Sequence, residues 1–392
     1  MIKVSSLFGQ ILSEIFSAVD FEKLVVKHKA ELRAKGFRSK TQLISMLFCH
    51  LARADSLREI VNGLSCCNGK LVHLGIGTPP KRSTLSYANE HRPAALFEDL
   101  FNELLARFRS VTHLGARKTK FRFKNKLFSF DSTTITLCLS LFPWANYRRA
   151  KGGVKVHVLL DHDDYMPSFV RITEAKVHDN RAAEDVQLKP GSIVAVDRGY
   201  LDFKRFYSWT EQGVFFVTRM KENIRYVVDV STEVPKKRNI VSDEGIFLRG
   251  DATSTKYPDE LRRIVVRDKE KNEDIVLLTN HFGFGATTIA SIYKDRWEIE
   301  LFFKALKQNL KVKTFIGTSE NALRIQIWTA LVSMLVIKWL HHLSQAPWSF
   351  SNMATMLRLN LFTYRDLRAW LDEPYETPPV IPKPEQLDLN MQ

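Results

Sequence analysis

With 392 residues, 45% of them apolar, the chain is too long for one ordinary core and predicts two or three folded domains. Lys plus Arg number 58 against 43 acids, a formal charge of +15 at pH 7. A basic excess of that size on a folded chain points to a polyanionic partner, nucleic acid ahead of an anionic membrane surface.

In chain order, residues 1–106 predict a helical N-terminal domain. Phe21–Lys29 leads into a turn at Gly36. Ser39 or Thr41 caps a helix Gln42–Ala52, whose Leu43, Met46, Leu47 and Phe48 recur at helical spacing. Asp55-Ser56 caps a short helix Leu57–Asn62 that ends at Gly63. After Pro79-Pro80 the run Lys81–Arg92 opens another. Short helices with tight turns and basic ends suit a helix-turn-helix-like DNA reader, and equally any small helical bundle. The N-terminus lacks the charged-then-apolar pattern of an export signal. Cys49, Cys66, Cys67 and Cys138 lack metal-ligand spacing. Both point to a cytoplasmic chain with free thiols.

Residues 107–126 form a basic linker with Arg107, Arg109, Arg117, Lys118, Lys120, Arg122, Lys124 and Lys126 and no acid. As extended chain, Lys120–Lys124 puts its bases on one side and Phe121 and Phe123 on the other. It can track a phosphate backbone, with Lys118, Lys120, Arg122 and Lys124 as DNA-binding candidates. It can also be a linker or edge strand kept soluble by its charge.

From residue 127 the pattern turns to strands. Leu127–Ile135, with Asp131 in its middle, Val154–Leu160 and Met166–Thr173 predict an antiparallel meander. Asp161, Asp163 and Asp164 read as a solvated hairpin turn. His157, His178 and Lys155 lie near the same edge and are given no catalytic role. A short helix Asn180–Leu188 precedes Ser192–Val196, a continuous apolar run that suits a buried central strand. It ends in Asp197, at the carboxyl end where α/β sheets hold their ligands. A helix Phe203–Gln212 and a strand Val214–Thr218 follow. Residues 221–285 predict a mostly β insertion with runs at Arg225–Val230, Arg263–Arg267 and Ile275–Leu278. The interrupted core, 127–220 with 286–345, resumes after it. The apolar run Ile325–Leu343 is broken by Gln326, Lys338, His341 and His342, so it predicts a buried helix, not a membrane span. Residues 346–392 complete a helical C-terminal region with a Pro-rich tail.

Ser291–Leu310 has no Gly or Pro and predicts one helix. Tyr293, Arg296, Glu300 and Lys307 fall within roughly 60° of arc on it, so they share a narrow face. By helix geometry alone, that face is also what a solvated row of ion pairs looks like. Three acids then hold informative places: Asp131 in a first strand, Asp197 at the end of a buried one, and Glu300 on a helix after the insertion.

Asp131-Ser-Thr, Asp197-Arg-Gly-Tyr and Tyr293-x2-Arg296-x3-Glu300-x6-Lys307 together resemble the DDE transposases of bacterial insertion sequences, in the IS-four group with its Tyr-Arg-Glu-Lys signature. The long gap from Asp197 to Glu300 accommodates the β insertion of that group. The resemblance covers about residues 125–345. It implies an α/β, ribonuclease-H-like catalytic core, with Asp131, Asp197 and Glu300 as catalytic metal ligands. Two Mg²⁺ ions, with Mn²⁺ able to substitute, would activate the attacking oxygen and stabilise the leaving one. Tyr293, Arg296 and Lys307 would contact DNA. The partners implied are transposon ends and target DNA, with a homodimer on paired ends, no membrane, and a nucleoid-associated cytoplasmic location. Excision through hairpin ends would need an aromatic side chain to hold an extruded base. Phe247, Tyr257, Phe282 and Phe284 of the insertion are the candidates.

Two rival readings remain. A tyrosine recombinase would use Tyr293 as nucleophile, but no Arg/His box precedes it. A non-enzymatic DNA-binding regulator would explain the charge and the N-terminal helices, but not three placed acids.

Overall fold

The computed structural model describes residues 5–32, 34–67, 69–112, 120–138, 140–148, 151–177, 179–234, 239–268, 270, 272–310 and 315–380. The chain forms two compact units, Met1–Leu114 with Ala305–Gln392, and Gly115–Lys304.

The first unit opens with α1 (Leu7–Ala18), α2 (Phe21–Lys27), α3 (Ser39–Ala52), α4 (Leu57–Cys66), α5 (Arg82–His91) and α6 (Ala95–Thr112). Side chains accept from the orphan N–H groups at several starts: Ser6 from Gly9, Asp20 from Lys23 and Ser56 from Glu59. Glu59 returns the bond at α4, accepting from Asp55 N at 2.8 Å. Two details depart from the sequence expectation. α3 begins at Ser39 and its cap comes from a distance, because the Glu31 carboxylate accepts from Ser39 N at 2.5 Å. α4 runs through Gly63 to Cys66. A Cβ at Gly63 would stand 2.7 Å from the Phe48 ring, so this glycine admits a close helix contact and ends nothing. α6 extends far enough to carry Arg107 and Arg109.

The second unit is built on one ten-stranded sheet. Its elements are β1 (Leu127–Leu137), β2 (Asn146–Arg148), β3 (Lys151–Asp161), β4 (Met166–Glu174), α7 (Asp179–Ala183), β5 (Ile193–Val196), α8 (Phe203–Glu211), β6 (Phe215–Arg219), β7 (Tyr226–Ser231), β8 (Ile240–Leu248), α9 (Asp251–Ser254), β9 (Leu261–Asp268), β10 (Glu273–Thr279) and α10 (Ala286–Asp295). The order is β2-β3-β1-β5-β6-β10-β9-β8-β7, with β4 also on β3. β1, β5 and β6 are parallel neighbours, and the other pairings are antiparallel. The insertion is therefore no separate body: β10 pairs with β6 and continues the sheet.

β5 is buried along its whole length, which is why it reads as an unbroken apolar run. One face of the sheet packs Phe130, Tyr200, Phe206, Trp209, Phe216 and Tyr257 into a core. The other packs Leu127, Ala195, Ile264 and Leu277 under Ile289 and Ile292 of α10. Tyr257, a candidate to hold an extruded base and so needing exposure, is only 1% exposed, and its hydroxyl lies 2.8 Å from Thr210 Oγ1. β8 has no apolar run in the sequence because Asp243 lies in its middle. That carboxylate is buried and takes two bonds from Arg262 of β9, at 2.8 and 2.7 Å.

The chain ends with α11 (Glu298–Asn309), α12 (Glu320–Leu343), α13 (Phe350–Asn360) and α14 (Leu367–Asp372). By length and composition alone α12 could cross a membrane, but 89% of its apolar window is buried. It is the core helix of the first unit, packed by α3, α5, α6 and α13. The polar interruptions seen in the sequence have partners inside that core or lie at its end. Gln326 Oε1 accepts from Ile316 N at 3.0 Å. Thr329 Oγ1 stands 3.0 Å from His50 Nε2, whose Nδ1 donates to the Leu310 carbonyl at 2.7 Å.

Burial pushes the pKa of His50 down from 6.5 to about 4. A depressed pKa means that the unfolded state takes up the proton first as pH falls. The stability held by the neutral ring is therefore full above pH 6.5 and is lost between 6.5 and about 4. In urea unfolding, the advantage of the wild type over His50→Gln should be largest above pH 6.5 and shrink steadily toward pH 4. A difference that is constant with pH would contradict this.

Candidate active site

β1 and β5 run parallel with Phe130 opposite Val196. Asp131 is the next residue of β1, and Asp197 is the residue that directly follows the end of β5. Asp131 Oδ1 accepts from Ser132 N at 2.7 Å. Asp197 Oδ2 accepts from Gly199 N at 3.3 Å and caps the 3-10 turn Arg198–Tyr200. Asp131 is largely buried, and burial raises its pKa to about 7. Arg296 and the Ser132 N–H act against that rise, while Glu300 and Asp197 add to it. The carboxylates thus feel one another across the sheet edge.

The expected single helix from Ser291 to Leu310 is instead two. α10 ends at Asp295 and α11 begins at Glu298. Between them the backbone tightens to i→i+3 bonds, from Trp297 N to Lys294 O, Ile299 N to Arg296 O and Glu300 N to Trp297 O, at 3.0–3.2 Å. Nothing in the local sequence marks this break. At the break, Arg296 Nη1 lies 3.3 Å from Asp131 Oδ2 and 3.6 Å from Glu300 Oε1. Its guanidinium stands 5.8 Å from the centre of the Tyr293 ring. Burial raises the Tyr293 pKa, with Arg296 opposing and Asp197 adding to the rise. Asp131, Asp197, Tyr293, Arg296 and Glu300 therefore form one electrostatic cluster. Arg219, at the end of β6, also acts on Tyr293 and was passed over in the sequence. Lys307 lies seven residues beyond Glu300 on α11 and is half-buried.

Lys120, Arg122 and Lys124 are exposed, while Phe121 and Phe123 between them are half-buried. The alternation expected of extended chain is present, although the segment pairs with no strand among the described residues. Phe123 stacks on Phe121 at 5.0 Å and on Phe284 at 4.8 Å, which seats the bases on the core. Lys118 and His178 lie outside the described residues. Phe284 is enclosed by Phe123 and His281, whereas Phe247 and Phe282 are 41% and 49% exposed. Of the expected solvated turn, Asp163 and Asp164 are partly exposed and Asp161 is not. Asp161 is 6% exposed, accepts from Asp163 N at 3.0 Å and shares Lys126 with Asp163. His157 Nε2 lies 2.9 Å from Thr173 Oγ1, and Lys155 donates to the Val177 carbonyl at 3.0 Å.

The donor set suits a hard divalent cation, since it offers carboxylate oxygens only. A buried carboxyl pushed up to about 7 marks a place where more positive charge would be welcome. Among the described residues no group of three His, Cys, Asp or Glu side chains is arranged to hold a metal ion. Arg296 is the cation between Asp131 and Glu300.

The family described as Transposase DDE domain matches residues 122–336, and a Domain of unknown function (DUF4372) matches residues 3–77. The transposase-named protein y4zB of Sinorhizobium fredii is 31% identical over 312 residues, 77% of this chain and 82% of that one. The transposase-named protein of insertion sequence element IS5377 of Geobacillus stearothermophilus is 32% identical over 248 residues, 62% of this chain and 64% of that one. That of insertion sequence element IS4SA of Synechocystis is 28% identical over 263 residues, 66% and 71% of the two chains. Enzymes with this domain generally use divalent metal ions. With the DDE domain spanning more than half its length, the chain belongs to the DDE transposases of insertion sequences, enzymes that cut and join DNA.

Proposed function

We propose that this enzyme cuts an insertion sequence at its terminal inverted repeats and joins it to target DNA, with Asp131, Asp197 and Glu300 as the catalytic acids. The observation that carries the reading is Arg296 shared between Asp131 and Glu300, with Asp197 directly after the adjoining parallel strand. Parallel β1, β5 and β6 flanked by the antiparallel β3 and β4 support a ribonuclease-H-like core. The spacing of Tyr293, Arg296, Glu300 and Lys307 supports the IS-four group. On this reading residues 1–106 form the helical DNA-binding domain and 107–126 the basic linker. Residues 127–220 with 286–345 form the core, although 305–345 belong to the first compact unit, with 221–285 the insertion and 346–392 the C-terminal region. The enzyme works as a homodimer on paired ends, in the bacterial cytoplasm at the nucleoid.

Asp131, Asp197 and Glu300 would hold two Mg²⁺ ions, or Mn²⁺. Such ions would supply a lowered pKa at the attacking oxygen and charge stabilisation at the leaving one. The chain's own groups do the rest. Arg296 and Lys307 hold phosphate oxygens, Tyr293 orients the backbone, and the buried floor of β1 and β5 keeps the acids at fixed spacing. A water and a DNA 3′ hydroxyl can attack in turn at the same site, so hydrolysis, hairpin closure, hairpin opening and strand transfer need no covalent protein intermediate. Of the insertion's aromatic residues, Phe247 and Phe282 have the exposure needed to hold an extruded base. The recombinase alternative is disfavoured at Tyr293, because burial raises its pKa where an activated nucleophile needs it lowered.

Asp131→Asn, Asp197→Asn and Glu300→Gln should each reduce cleavage of labelled duplex by about 10²–10³-fold or more, with DNA binding kept. Chelation should stop cleavage, and Mg²⁺ or Mn²⁺ restore it. A variant cutting at the wild-type rate removes that residue from the site. Replacing Lys118, Lys120, Arg122 and Lys124 by Ala should weaken binding to unrelated duplexes alike. It should also flatten the salt dependence by about 0.9 for each phosphate no longer neutralised; an unchanged slope would make the segment a solubilising linker. On denaturing gels, end-labelled donor DNA should pass through a species of doubled strand length. Open ends alone throughout a rapid-quench course would exclude the hairpin route.

A further inference from the structure

Asp295 is the last residue of α10 and is 4% exposed. A carboxylate there faces the negative end of the helix dipole, and burial adds a desolvation cost. Two donors offset this. His162 Nδ1 lies 2.8 Å from Oδ2, and Lys120 Nζ lies 2.5 Å from Oδ1. Burial alone would raise the carboxyl, but these partners hold it below its ordinary value. The other ring nitrogen of His162 lies 2.7 Å from Ser129 Oγ. A carboxylate only accepts, so Nδ1 carries a proton, and in the neutral ring Nε2 accepts from the Ser129 hydroxyl. His162 is itself anchored, since its N–H donates to the Leu127 carbonyl at 3.0 Å.

The connectivity Ser129–His162–Asp295 is that of a nucleophile triad. Ser129 is fully buried in β1, so no substrate reaches its hydroxyl. The three residues instead connect the two elements that matter for the acids. Ser129 and Asp131 are two apart on β1 and share a face. Asp295 directly precedes Arg296. The relay therefore bridges β1 to the α10–α11 break one step away from the bridge that Arg296 makes to Asp131.

We propose that Ser129, His162 and Asp295 are positioning residues: their relay holds the α10–α11 break against β1 so that Arg296 stands between Asp131 and Glu300. This rests on the catalytic role proposed for those acids. Lys120 enters the same relay from the basic segment, so it meets Asp295 with a side chain that is otherwise 56% exposed.

The test is single-turnover cleavage of labelled duplex made from the DNA flanking the gene, at saturating protein, with DNA Kd and thermal midpoint measured alongside. His162→Asn keeps a donor near Nδ1 for Asp295. His162→Gln reaches toward Ser129 and leaves Asp295 without it. His162→Gln should lose about 10- to 100-fold in rate at unchanged Kd, the scale of a small misplacement near the reacting atoms. His162→Asn should stay at least about fivefold faster than His162→Gln, since it alone preserves the link next to Arg296. In a cycle with Arg296→Lys, the losses should fall well short of multiplying, because both act through one guanidinium. If His162→Gln does not fold, Ser129→Ala, which deletes only a hydroxyl, takes its place in the cycle. Equal rates for Asn and Gln, or losses that multiply, overturn the relay. Asp131→Asn run in parallel separates the two levels: if it is inactive and the cycle multiplies, only the relay fails, and if it cuts, the reading of the acids fails first.

Discussion

One guanidinium, that of Arg296, lies 3.3 Å from Asp131 and 3.6 Å from Glu300, with Asp197 just past the end of the adjoining strand. Acids gathered at the edge of a buried sheet repel one another and resist ionisation, and Asp131 is already pushed up to about 7. A fixed cation among them makes the cluster tolerable in the folded chain. The same charges would favour divalent ions and phosphate in the reaction proposed here. Arg296 lies where one helix stops at Asp295 and the next starts at Glu298, in backbone tightened to i→i+3 bonds.

The sheet gives that break something rigid to sit on. β1, β5 and β6 are parallel and covered on both faces, by α8 and its aromatic cluster on one side and by α10 on the other. Leu127, Ser129 and Asp131 alternate along one face of β1. In turn they meet the core under α10, the His162 relay and Arg296. The insertion adds four strands to the same sheet, and its return through Phe284 packs against Phe123 of the basic segment. A stretch that composition marks only as charged is thereby seated by its two phenylalanines, with Arg122 and Lys124 left exposed and Lys120 paired to Asp295.

Much of this was open to reading because it follows from local chemistry. Period-two and continuous apolar runs marked β1, β3, β4, β5 and β6, and the run from Ile325 marked α12. Polar atoms within elements were harder, since their meaning lies in distant partners. Gly63 looks like a helix stop until Phe48 is seen against it. Asp243 interrupts any apolar run in β8, and only its pairing with Arg262 explains it there. Tyr257 looks exposed until Thr210 takes its hydroxyl. Asp161 looks solvated until Lys126 covers it.

By itself the sequence determined which residue types occur at which spacing: the acids at 131, 197 and 300, the Tyr-Arg-Glu-Lys pattern, the basic excess, and the order of helices and strands. Those depend on neighbours within a few residues, and the backbone periods of 2 and 3.6 make them readable. Only the tertiary structure decided that the helix breaks at Asp295, that Arg296 turns onto Asp131, and that Ser129, His162 and Asp295 join in one relay. Each of these is set by hydrogen bonds between residues far apart in the chain, formed where burial removes water as the competing partner.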